Sequence, residues 1–560
     1  MLKKKDKLVY TALVGGAAGD GAKEASINLG RLAARHGYEF FLSVEYPSLI
    51  RGGHNFARVS ISAEKIHIDE ARLDIILALN EETIEKHRSE LKKGAMIFCD
   101  GGFAGSKNII SIPAGDWVKQ ENLPRLCRAS ALLGAVCGYF GFELEELNKI
   151  FREIFGEKAG PNIILAKKGY EFFREKNIGG LKLRKIKAAE KTVVDGNEAF
   201  SEGLIKAGLT NYYAYPMTPS SSILHYLAKK SKSYGLKVVQ PENEISVINM
   251  ALGSSYAGKR TAVASTGGGF ALMLEAMAFA GMAEIPIVVA DAQRASTSTG
   301  VPTRTGQGDL DFVRNLPGEY PRLILAPGDA EEAYLAAGAA MNLAWKYQLP
   351  AVVLLDKHLS ESVTAVKLAS DKIKIEKPKI ASGASYRRYA FVADGVSPLA
   401  FPGDKNLVVK ISSYEHDEDG YICDTVENTK KMCEKRFAKE KGLRKDGKKY
   451  ETIKIYGDKK SKNAVIFWGS VKGAVVEALR KTRRPFKAIQ IVWLEPFDAD
   501  KFSKELKGVK KTVLVENNYT AQLGKLIREK TGLEIKSKIL RYDSLPFDPD
   551  GLAKQLDKIF

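Results

Sequence analysis

Between about residues 190 and 375, short apolar runs alternate with longer amphipathic segments. The runs have the length and the β-branched content of buried strands, and the segments between them have helical periodicity. Strands that alternate with helices in this way form a parallel sheet with helices on both faces. The predicted strands are Asn211–Tyr215, Lys237–Gln240, Thr261–Ser265, Ile285–Ala290, Arg322–Ala326 and Ala351–Leu355.

The chain has 560 residues, too many for one hydrophobic core, and predicts a multidomain α/β protein with doubly wound parallel sheets. Residues 1–185 and 190–375 form the first two predicted domains. A charged, irregular connector is predicted over residues 376–460, and its basic run Lys430–Lys462 has the composition of a solvated linker. Residues 461–560 form the last domain. Its predicted strands are Ala464–Trp468, Ala488–Trp493 and Thr512–Val515.

A predicted strand, a glycine-rich turn and a helix open the first domain. The strand Leu8–Val14 leads into Gly15–Gly21, and the next helix has alanines and leucines on one face. Such a unit can bind phosphate at the helix N-terminus, and close packing of strand on helix explains the glycines equally well. A nucleotide-binding function therefore stays open for this domain.

A turn with two prolines follows the predicted strand Asn211–Tyr215. Its sequence is Pro216-Met217-Thr218-Pro219, and proline restricts both itself and the residue before it to non-helical backbone. Thr218 is therefore presented at the carboxyl end of a strand, where open α/β sheets bind their ligands. Glu244 lies one structural unit later, in the first turn of a predicted helix. Taken alone, each feature is equally well explained by helix capping and the helix dipole.

Arg294 is the third candidate, and it lies just beyond the predicted strand Ile285–Ala290. A guanidinium group is always charged and offers a rigid fork that can bind a carboxylate through two hydrogen bonds. A loop arginine is ordinarily solvated, so the position alone leaves both roles open.

Together these segments resemble the α chain of the 2-oxoacid:ferredoxin oxidoreductases, and in particular the 2-oxoglutarate type with a γ domain fused in front of α. The motifs that carry the resemblance are Tyr-Pro-x-Thr-Pro-Ser-Ser from Tyr215, Glu-x-Glu-Ile from Glu242, and the Asn-Met-Ala-x-Gly-x-Ser-Tyr-Ala-Gly segment that ends at Gly258. The resemblance implies an enzyme subunit that converts a 2-oxoacid and coenzyme A to acyl-coenzyme A and carbon dioxide. Electrons would pass to ferredoxin.

In that family the cofactor is thiamine diphosphate, and two chains build its site. The resemblance implies that this chain supplies the pyrimidine-binding domain, whereas a separate β chain holds the diphosphate, Mg²⁺ and a [4Fe-4S] cluster. Glu244 matches the glutamate that hydrogen-bonds N1′ of the aminopyrimidine and so promotes loss of the C2 proton. The other positions implied at the cofactor are Tyr215, Pro216, Thr266, Gly267 and Gly268.

Thr218 and Arg294 match family residues that face the substrate, and the resemblance assigns the substrate carboxylate to Arg294. Arg304 is the next arginine and a candidate for a distal carboxylate, as in 2-oxoglutarate. The sequence departs from the family pattern at Ala295–Thr297, at Gly306 and in the turn Thr266–Phe270. These departures concern the side chain of the substrate and leave the reaction class unchanged.

The outer domains resemble other parts of the same family. The glycine-rich turn and Arg51-Gly52-Gly53 are similar to the γ domain, which is associated with coenzyme A. Residues 461–560 look like the carboxyl-terminal domain of transketolase, where Glu516–Asn518 would serve a dimer interface. The implied assembly is a dimer of γα/β heterodimers.

Cysteine spacing bears on where the implied cluster lies. The five cysteines include no Cys-x-x-Cys, so an iron–sulfur cluster is expected on a partner chain. No metal site is predicted here, because the acidic run Glu415–Tyr421 suits a solvated turn better than a set of convergent ligands. Gly19-Asp20-Gly21 imitates a magnesium motif of thiamine enzymes, but Asn55 lies too far along to complete it.

Charge and hydropathy exclude two classes of partner. The net charge of +19 comes from lysines interleaved with acids, without an aromatic-basic module, so nucleic acid is not predicted. No apolar run approaches the ~20 residues of a membrane span. The basic N-terminus leads into a first strand rather than a signal peptide, so a cytoplasmic protein is expected.

Two other functions stay open. One is a transketolase-like or decarboxylating enzyme that keeps the thiamine site and has a different partner chain. The other is a nucleotide-binding regulatory protein built on residues 1–185, which would not depend on Glu244.

Overall fold

The structure is a computed structural model that describes residues 8–46, 53–102, 108–382, 386–405 and 407–560. The chain forms two compact units, each with its own hydrophobic core. Unit 1 comprises Met1–Val194 and Glu361–Lys367, and unit 2 comprises Asp195–Ser360 and Leu368–Phe560. Both units combine β-sheets with helices, so the predicted multidomain α/β class is confirmed. The finer predicted domain limits stay a prediction.

Unit 1 is built on a mixed sheet. In spatial order its strands are Ile109–Ile112, Leu91–Asp100, Leu73–Ala78, Val9–Ala17, His54–Ser62, Glu39–Glu45, Val363–Val366 and Thr192–Asp195. The first four run parallel, whereas His54–Ser62 pairs antiparallel with both of its neighbours. The predicted first strand is present, and it continues through Gly15 and Gly16.

The helices of unit 1 pack closely. They span Ala22–Arg35, Glu81–His87, Ala114–Gln120, Arg128–Phe140, Leu144–Phe155 and Gly160–Glu175, with 3₁₀ turns at Arg88–Glu90, Arg125–Cys127 and Gly156–Ala159. A Cβ atom on Gly134 would lie 1.9 Å from the carbonyl oxygen of Ala166, and one on Gly169 would lie 1.9 Å from that of Ala131. Only glycine fits at these two contacts between the helices.

Asp20 holds the glycine-rich turn of unit 1. Its Oδ2 accepts a hydrogen bond from the Ala17 N–H at 3.0 Å, and its Oδ1 pairs with Arg128 Nη2 at 2.8 Å. This carboxylate is therefore engaged inside unit 1. Arg51 and Gly52, which belong to the other γ-like motif, lie outside the described residues.

The larger sheet of unit 2 has the predicted alternation of strands and helices along the chain. In spatial order its strands are Trp493–Glu495, Leu323–Leu325, Pro350–Asp356, Ile287–Gln293, Thr261–Ser265, Asn211–Tyr213 and Lys237–Val239. All neighbours run parallel except Trp493–Glu495, which is antiparallel to Leu323–Leu325. Each strand predicted for this region is present, with small shifts at its ends.

A second sheet of unit 2 has the strands Ile453–Gly457, Lys487–Ile491, Asn463–Trp468, Lys511–Glu516 and Ser537–Leu540 in spatial order. The predicted strand Ala488–Trp493 is thus two strands, one in each sheet of this unit. The helices of unit 2 span Gly196–Lys206, Ser221–Tyr234, Glu244–Tyr256, Gly267–Ala271, Leu274–Met282, Leu310–Arg314, Ala330–Tyr347, Val426–Gly447, Val471–Lys481, Ala499–Leu506, Gln522–Thr531 and Pro549–Ile559, with a 3₁₀ turn at Ser370–Lys372. Lys357–Glu361 is helical where the chain passes from unit 2 to unit 1. None of the described helices combines the length and apolarity that crossing a bilayer requires.

The prediction of a solvated linker over Lys430–Lys462 is wrong. Val426–Gly447 is a helix in which Lys435 and Lys439 are almost completely buried. Both ammonium groups contact the buried carboxylate of Glu284, that of Lys435 at 2.8 Å. Composition could not reveal this pairing, because the anion lies far earlier in the chain.

The acidic run Glu415–Tyr421 is also more ordered than a solvated turn. Glu415 pairs with Arg436 at 2.7 Å, and the buried His416 ring packs on Tyr389 with 3.9 Å between ring centroids. No group of three or more His, Cys, Asp and Glu side chains in the described ranges is placed to hold a metal ion.

Replacing Glu284 with glutamine is expected to destabilise unit 2 by about 3–5 kcal/mol, because two lysine charges are left buried without their counter-ion. Burial already lowers the pKa of Lys439 to about 7, below the value of an unfolded lysine. The unfolded chain then binds more protons than the folded one above this pH, so the variant should regain stability as pH rises. Denaturant unfolding at about pH 6.5 and about pH 9 measures both effects.

The matched control is Glu427→Gln. Glu427 is an exposed carboxylate on the helix Val426–Gly447, and it pairs with Lys431 of the same helix. The substitution should change the free energy of unfolding by less than about 1 kcal/mol. If both variants lost the same free energy of unfolding, the stabilising role of Glu284 would be contradicted.

Candidate active site

The Thr218 turn lies at the carboxyl end of the strand Asn211–Tyr213, as predicted. Tyr215 and Pro216 are exposed there, and Thr218 is half-buried. The Met217 carbonyl accepts a hydrogen bond from Ser220 Oγ at 2.7 Å, which closes the turn before the next helix. Thr266 Oγ1 also donates to Met217 Sδ at 2.9 Å, so this turn and the Thr266 turn lie together.

Glu244 is the first residue of the helix Glu244–Tyr256 and is only 3% exposed. Capping does not require this carboxylate, because the Asn243 side chain already accepts the Ser246 N–H at 2.9 Å. Within the described ranges, Glu244 Oε1 is buried with no hydrogen-bond partner. A buried acceptor without a donor is costly, so Glu244 Oε1 is available to accept a hydrogen bond from a bound group.

Gly269 forms the wall beside this carboxylate. A Cβ atom at position 269 would lie 2.5 Å from Glu244 Oε1 and 2.0 Å from Ser265 Oγ. Glu244, Ser265 and the turn Thr266–Gly268 are therefore brought together at the end of the strand Thr261–Ser265. A carboxylate without a donor beside a glycine wall fits a flat heteroaromatic ring that carries an N–H, such as an aminopyrimidine.

Gly269→Ala is expected to weaken thiamine diphosphate binding and to destabilise the chain by about 1–3 kcal/mol, because the new methyl group displaces Glu244 and Ser265. Quenching of protein fluorescence on titration with the cofactor measures the first effect in the assembled enzyme, and thermal unfolding measures the second. Gly253→Ala is the control, since no described heavy atom lies within 4 Å of its added Cβ. Unchanged cofactor affinity in Gly269→Ala would contradict the placement.

Arg294 follows the strand Ile287–Gln293 and reaches the Thr218 turn. Its Nη1 donates to the Thr218 carbonyl oxygen at 3.0 Å. Burial lowers the pKa of Arg294, and the nearby Asp309 opposes that change. In the described part of the chain, Arg294 Nε is buried without an acceptor. The structure thus joins two of the predicted substrate residues and leaves part of the guanidinium group available for a ligand.

A cleft of about 630 Å³ opens beside Arg294. Its lining includes Gly267, Gly268, Arg294, Asp309 and residues 517–520. Arg304 is outside the set of described residues that line this cleft. Its carbonyl accepts the Ala295 N–H at 3.1 Å, so its backbone closes the loop that carries Arg294.

Several hydrogen bonds fasten this loop to the carboxyl-terminal region. The Gln307 N–H donates to the Asn517 carbonyl at 2.8 Å, and Asn518 Nδ2 donates to the Gln307 carbonyl at 3.1 Å. Glu516 accepts hydrogen bonds from the Leu523 and Gly524 N–H groups, at 3.0 and 3.1 Å. Residues 516–518 therefore hold the cleft together, and their predicted dimer role stays a prediction.

Sequence reasoning assigned no role to Asp291 or Asp309. Asp291 is fully buried in the strand Ile287–Gln293, and Asp309 precedes the helix Leu310–Arg314. An aspartate inside an otherwise apolar strand was the available signal for Asp291. The sequence around Asp309 contains no signal for a role in the site, because its neighbours Gln293 and Gly267 come from other segments of the chain.

The surface around Glu244 exposes large apolar side chains. Ile245 is 52% exposed, next in sequence to the buried Glu244, and Met250 and Leu272 are also exposed. This reverses the usual pattern of a surface helix, in which the charged residue faces solvent and the apolar residue faces the core. Exposed apolar side chains that form a contiguous patch mark a site of interaction with another molecule.

Two family models match the chain. One is a thiamine diphosphate-binding domain of pyruvate flavodoxin/ferredoxin oxidoreductase, over residues 202–435, and the other is pyruvate ferredoxin/flavodoxin oxidoreductase, over residues 11–172. The first match contains Thr218, Glu244 and Arg294. The fold and the family match thus define a thiamine-dependent oxidoreductase domain.

Whole-length relatives identify the family. A 2-oxoacid:ferredoxin oxidoreductase alpha subunit from a Sulfolobus species is 31% identical over 98% of this chain and 96% of its own length. A 2-oxoglutarate synthase subunit KorA from Methanocaldococcus jannaschii is 34% identical over 58% of this chain and 88% of its own. The solved 2-oxoglutarate:ferredoxin oxidoreductase from Magnetococcus marinus is 28% identical, with a TM-score of 0.90 over 99% of this chain and 100% of that chain. This chain belongs to the 2-oxoacid:ferredoxin oxidoreductase family of alpha subunits.

Proposed function

We propose that this chain is a γα-type subunit that holds the aminopyrimidine of thiamine diphosphate against Glu244. The observation that carries the proposal is Glu244 Oε1, which is buried and lacks a donor among the described residues. Asn243 has taken over the capping function, so local structure does not explain a buried glutamate at this position. A ring nitrogen that shares a proton with Oε1 would supply the missing donor.

The proposed reaction divides between the cofactor and this chain. Thiamine diphosphate supplies a carbon nucleophile for the keto group and an electron sink for loss of carbon dioxide. Glu244 holds and shares the proton at Oε1, and Gly269 leaves room for the ring. Tyr215, Pro216 and residues Thr266–Gly268 are the other positions at which this chain would contact the cofactor.

Arg294 and Thr218 orient the substrate. The Arg294 guanidinium binds the substrate carboxylate, and the Thr218 hydroxyl donates to a carboxylate or keto oxygen. Thr218 also fixes Arg294 through its carbonyl oxygen at 3.0 Å. The Magnetococcus protein was solved with 2-oxoglutarate, coenzyme A and succinyl-CoA bound, which supports 2-oxoglutarate and coenzyme A as the substrates here.

A β subunit completes the site. It carries the diphosphate and Mg²⁺ site and a [4Fe-4S] cluster, and it passes electrons to ferredoxin. The exposed Ile245, Met250 and Leu272 provide the apolar face on which that subunit docks. The five cysteines here lack the spacing of a cluster motif, which supports a cluster on the partner. The assembly is a dimer of such heterodimers in the cytoplasm.

The test of this function is a panel of 2-oxoacids given to the copurified complex with coenzyme A and an oxidised viologen dye. Reduction of the dye that depends on both substrates is expected, with 2-oxoglutarate giving the highest kcat/KM. Arg304→Ala should lower kcat/KM for 2-oxoglutarate and leave that for pyruvate unchanged if Arg304 reads the distal carboxylate. Equal effects on both substrates would remove Arg304 from that role, and the absence of reduction with every 2-oxoacid would contradict the function.

A further inference from the structure

The carboxyl group of Asp309 has no role in the proposed reaction, although it lies in the cleft. Asp309 and Arg294 both line this cleft, and the charge of each affects the pKa of the other. A Cβ atom on Gly267 would lie 2.6 Å from Asp309 Oδ2, so this carboxyl group packs against the first residue of the helix Gly267–Ala271. The Asp309 N–H donates to Gln293 Oε1 at 3.0 Å, which fixes it to the strand that leads to Arg294.

Asp291 lies near Asp309, and the two carboxyl groups influence each other. Asp291 is fully buried, and neither of its oxygens has a hydrogen-bond partner in the described ranges. Two buried carboxyl groups that lie close together cannot both be ionised without a large cost in free energy. Burial and the charge of Asp309 raise the pKa of Asp291 well above its usual range. Burial raises the pKa of Asp309 to about 6, against the opposing effect of Arg294.

Asp309 is therefore a group whose pKa lies close to neutral pH, next to a buried Asp291 whose pKa is also raised. Other titratable or charged side chains near this region include Asp311, which pairs with Lys525, Tyr519 and Tyr542 in the cleft lining, and Glu244 beside Gly269. Asp311 and Lys525 neutralise each other at 2.9 Å.

On the basis of the proposed function, we propose that Asp309 controls how strongly Arg294 binds the substrate carboxylate. As a neutral acid, Asp309 leaves the guanidinium group to the substrate. As a carboxylate, it competes with the substrate for the same positive charge and repels the incoming anion. Substrate binding therefore draws a proton onto Asp309, which makes it a positioning and specificity residue of the cleft.

The test compares the pH dependence of kcat and KM in the copurified enzyme and in Asp309→Asn. In the wild type, kcat/KM for the 2-oxoacid should fall above the pKa of Asp309, by up to about tenfold per pH unit and through KM. Asparagine imitates the neutral acid, so the variant should lose this pH dependence of kcat/KM. The proposal would be overturned if kcat/KM of the wild type and of Asp309→Asn changed with pH in parallel from about pH 5.5 to about pH 8.5.

Two variants serve as controls. Asp291→Asn changes the other carboxyl group of the pair and leaves Asp309 in place, so the fall in kcat/KM should remain. Asp311→Asn removes a carboxylate two positions away that pairs with Lys525, and it should leave the profile unchanged. Loss of the pH dependence in either variant would contradict the assignment to Asp309.

A measurement without variants covers the case in which Asp309→Asn does not fold. Oxamate, a 2-oxoacid analogue that does not decarboxylate, is titrated into the wild-type complex in two buffers of different ionisation enthalpy. Net proton uptake at about pH 7 is expected, and binding without uptake would overturn the proposal. Failure of the proposed function is distinguishable, because the wild type would then reduce no dye at any pH.

Discussion

Glu244→Gln is expected to lower kcat by about 10²–10⁴-fold, the range that a positioned proton-transfer group contributes. The amide has nearly the shape of the carboxylate, so the packing against Ser265 and Gly269 is retained. It cannot hold a negative charge or share a proton with a ring nitrogen in the same way. The measurement is dye reduction by the copurified complex with saturating 2-oxoacid, coenzyme A and thiamine diphosphate.

The matched control is Glu242→Gln, which changes an exposed carboxylate two positions earlier in the same motif. This side chain accepts a hydrogen bond from Ser246 Oγ on the surface and should be replaceable with little change in kcat. Unfolding curves of both variants should overlay that of the wild type. Near-normal turnover in Glu244→Gln would exclude the thiamine role of this residue.

Arg294→Ala is expected to lower kcat/KM by about 2–5 kcal/mol, or about 30-fold to several thousand-fold. The change removes a charge-assisted hydrogen bond to the substrate carboxylate in a cleft that is partly shielded from water. It also removes the hydrogen bond from Arg294 Nη1 to the Thr218 carbonyl, so the turn loses an anchor. Initial rates at varied 2-oxoacid concentration measure the effect.

Arg294→Lys separates charge from geometry. Lysine keeps the positive charge but lacks the planar fork, so it should recover only part of the loss. Full recovery would show that charge alone is needed, and an unchanged kcat/KM in Arg294→Ala would remove this residue from the substrate site. Binding of thiamine diphosphate should be nearly the same in all three proteins, because Glu244 and Gly269 are untouched.

The main sheet and three candidate residues could be predicted because their signals are local. Proline around Thr218, the strand before Arg294 and the helix that begins at Glu244 are each readable within a short segment. The structure shows Arg294 bonded to the Thr218 turn, and Thr266 bonded to Met217 in that same turn. The functional roles of these residues remain predictions.

The features that were missed depend on segments far apart in the chain. Lys435 and Lys439 seemed to belong to a solvated run, and only folding places them on Glu284. Asp291 and Asp309 influence each other because the loop between them returns to the end of the strand. Charge composition and periodicity contain no information about such long-range pairs.

The most direct test of the central claim is anaerobic purification of the tagged chain from its native host, followed by analysis of copurifying chains, iron and thiamine diphosphate. We predict a second chain that brings iron and the cofactor, together with 2-oxoacid-dependent dye reduction that the isolated chain lacks. A lone, colourless protein without thiamine diphosphate, which instead binds a nucleotide, would contradict the account.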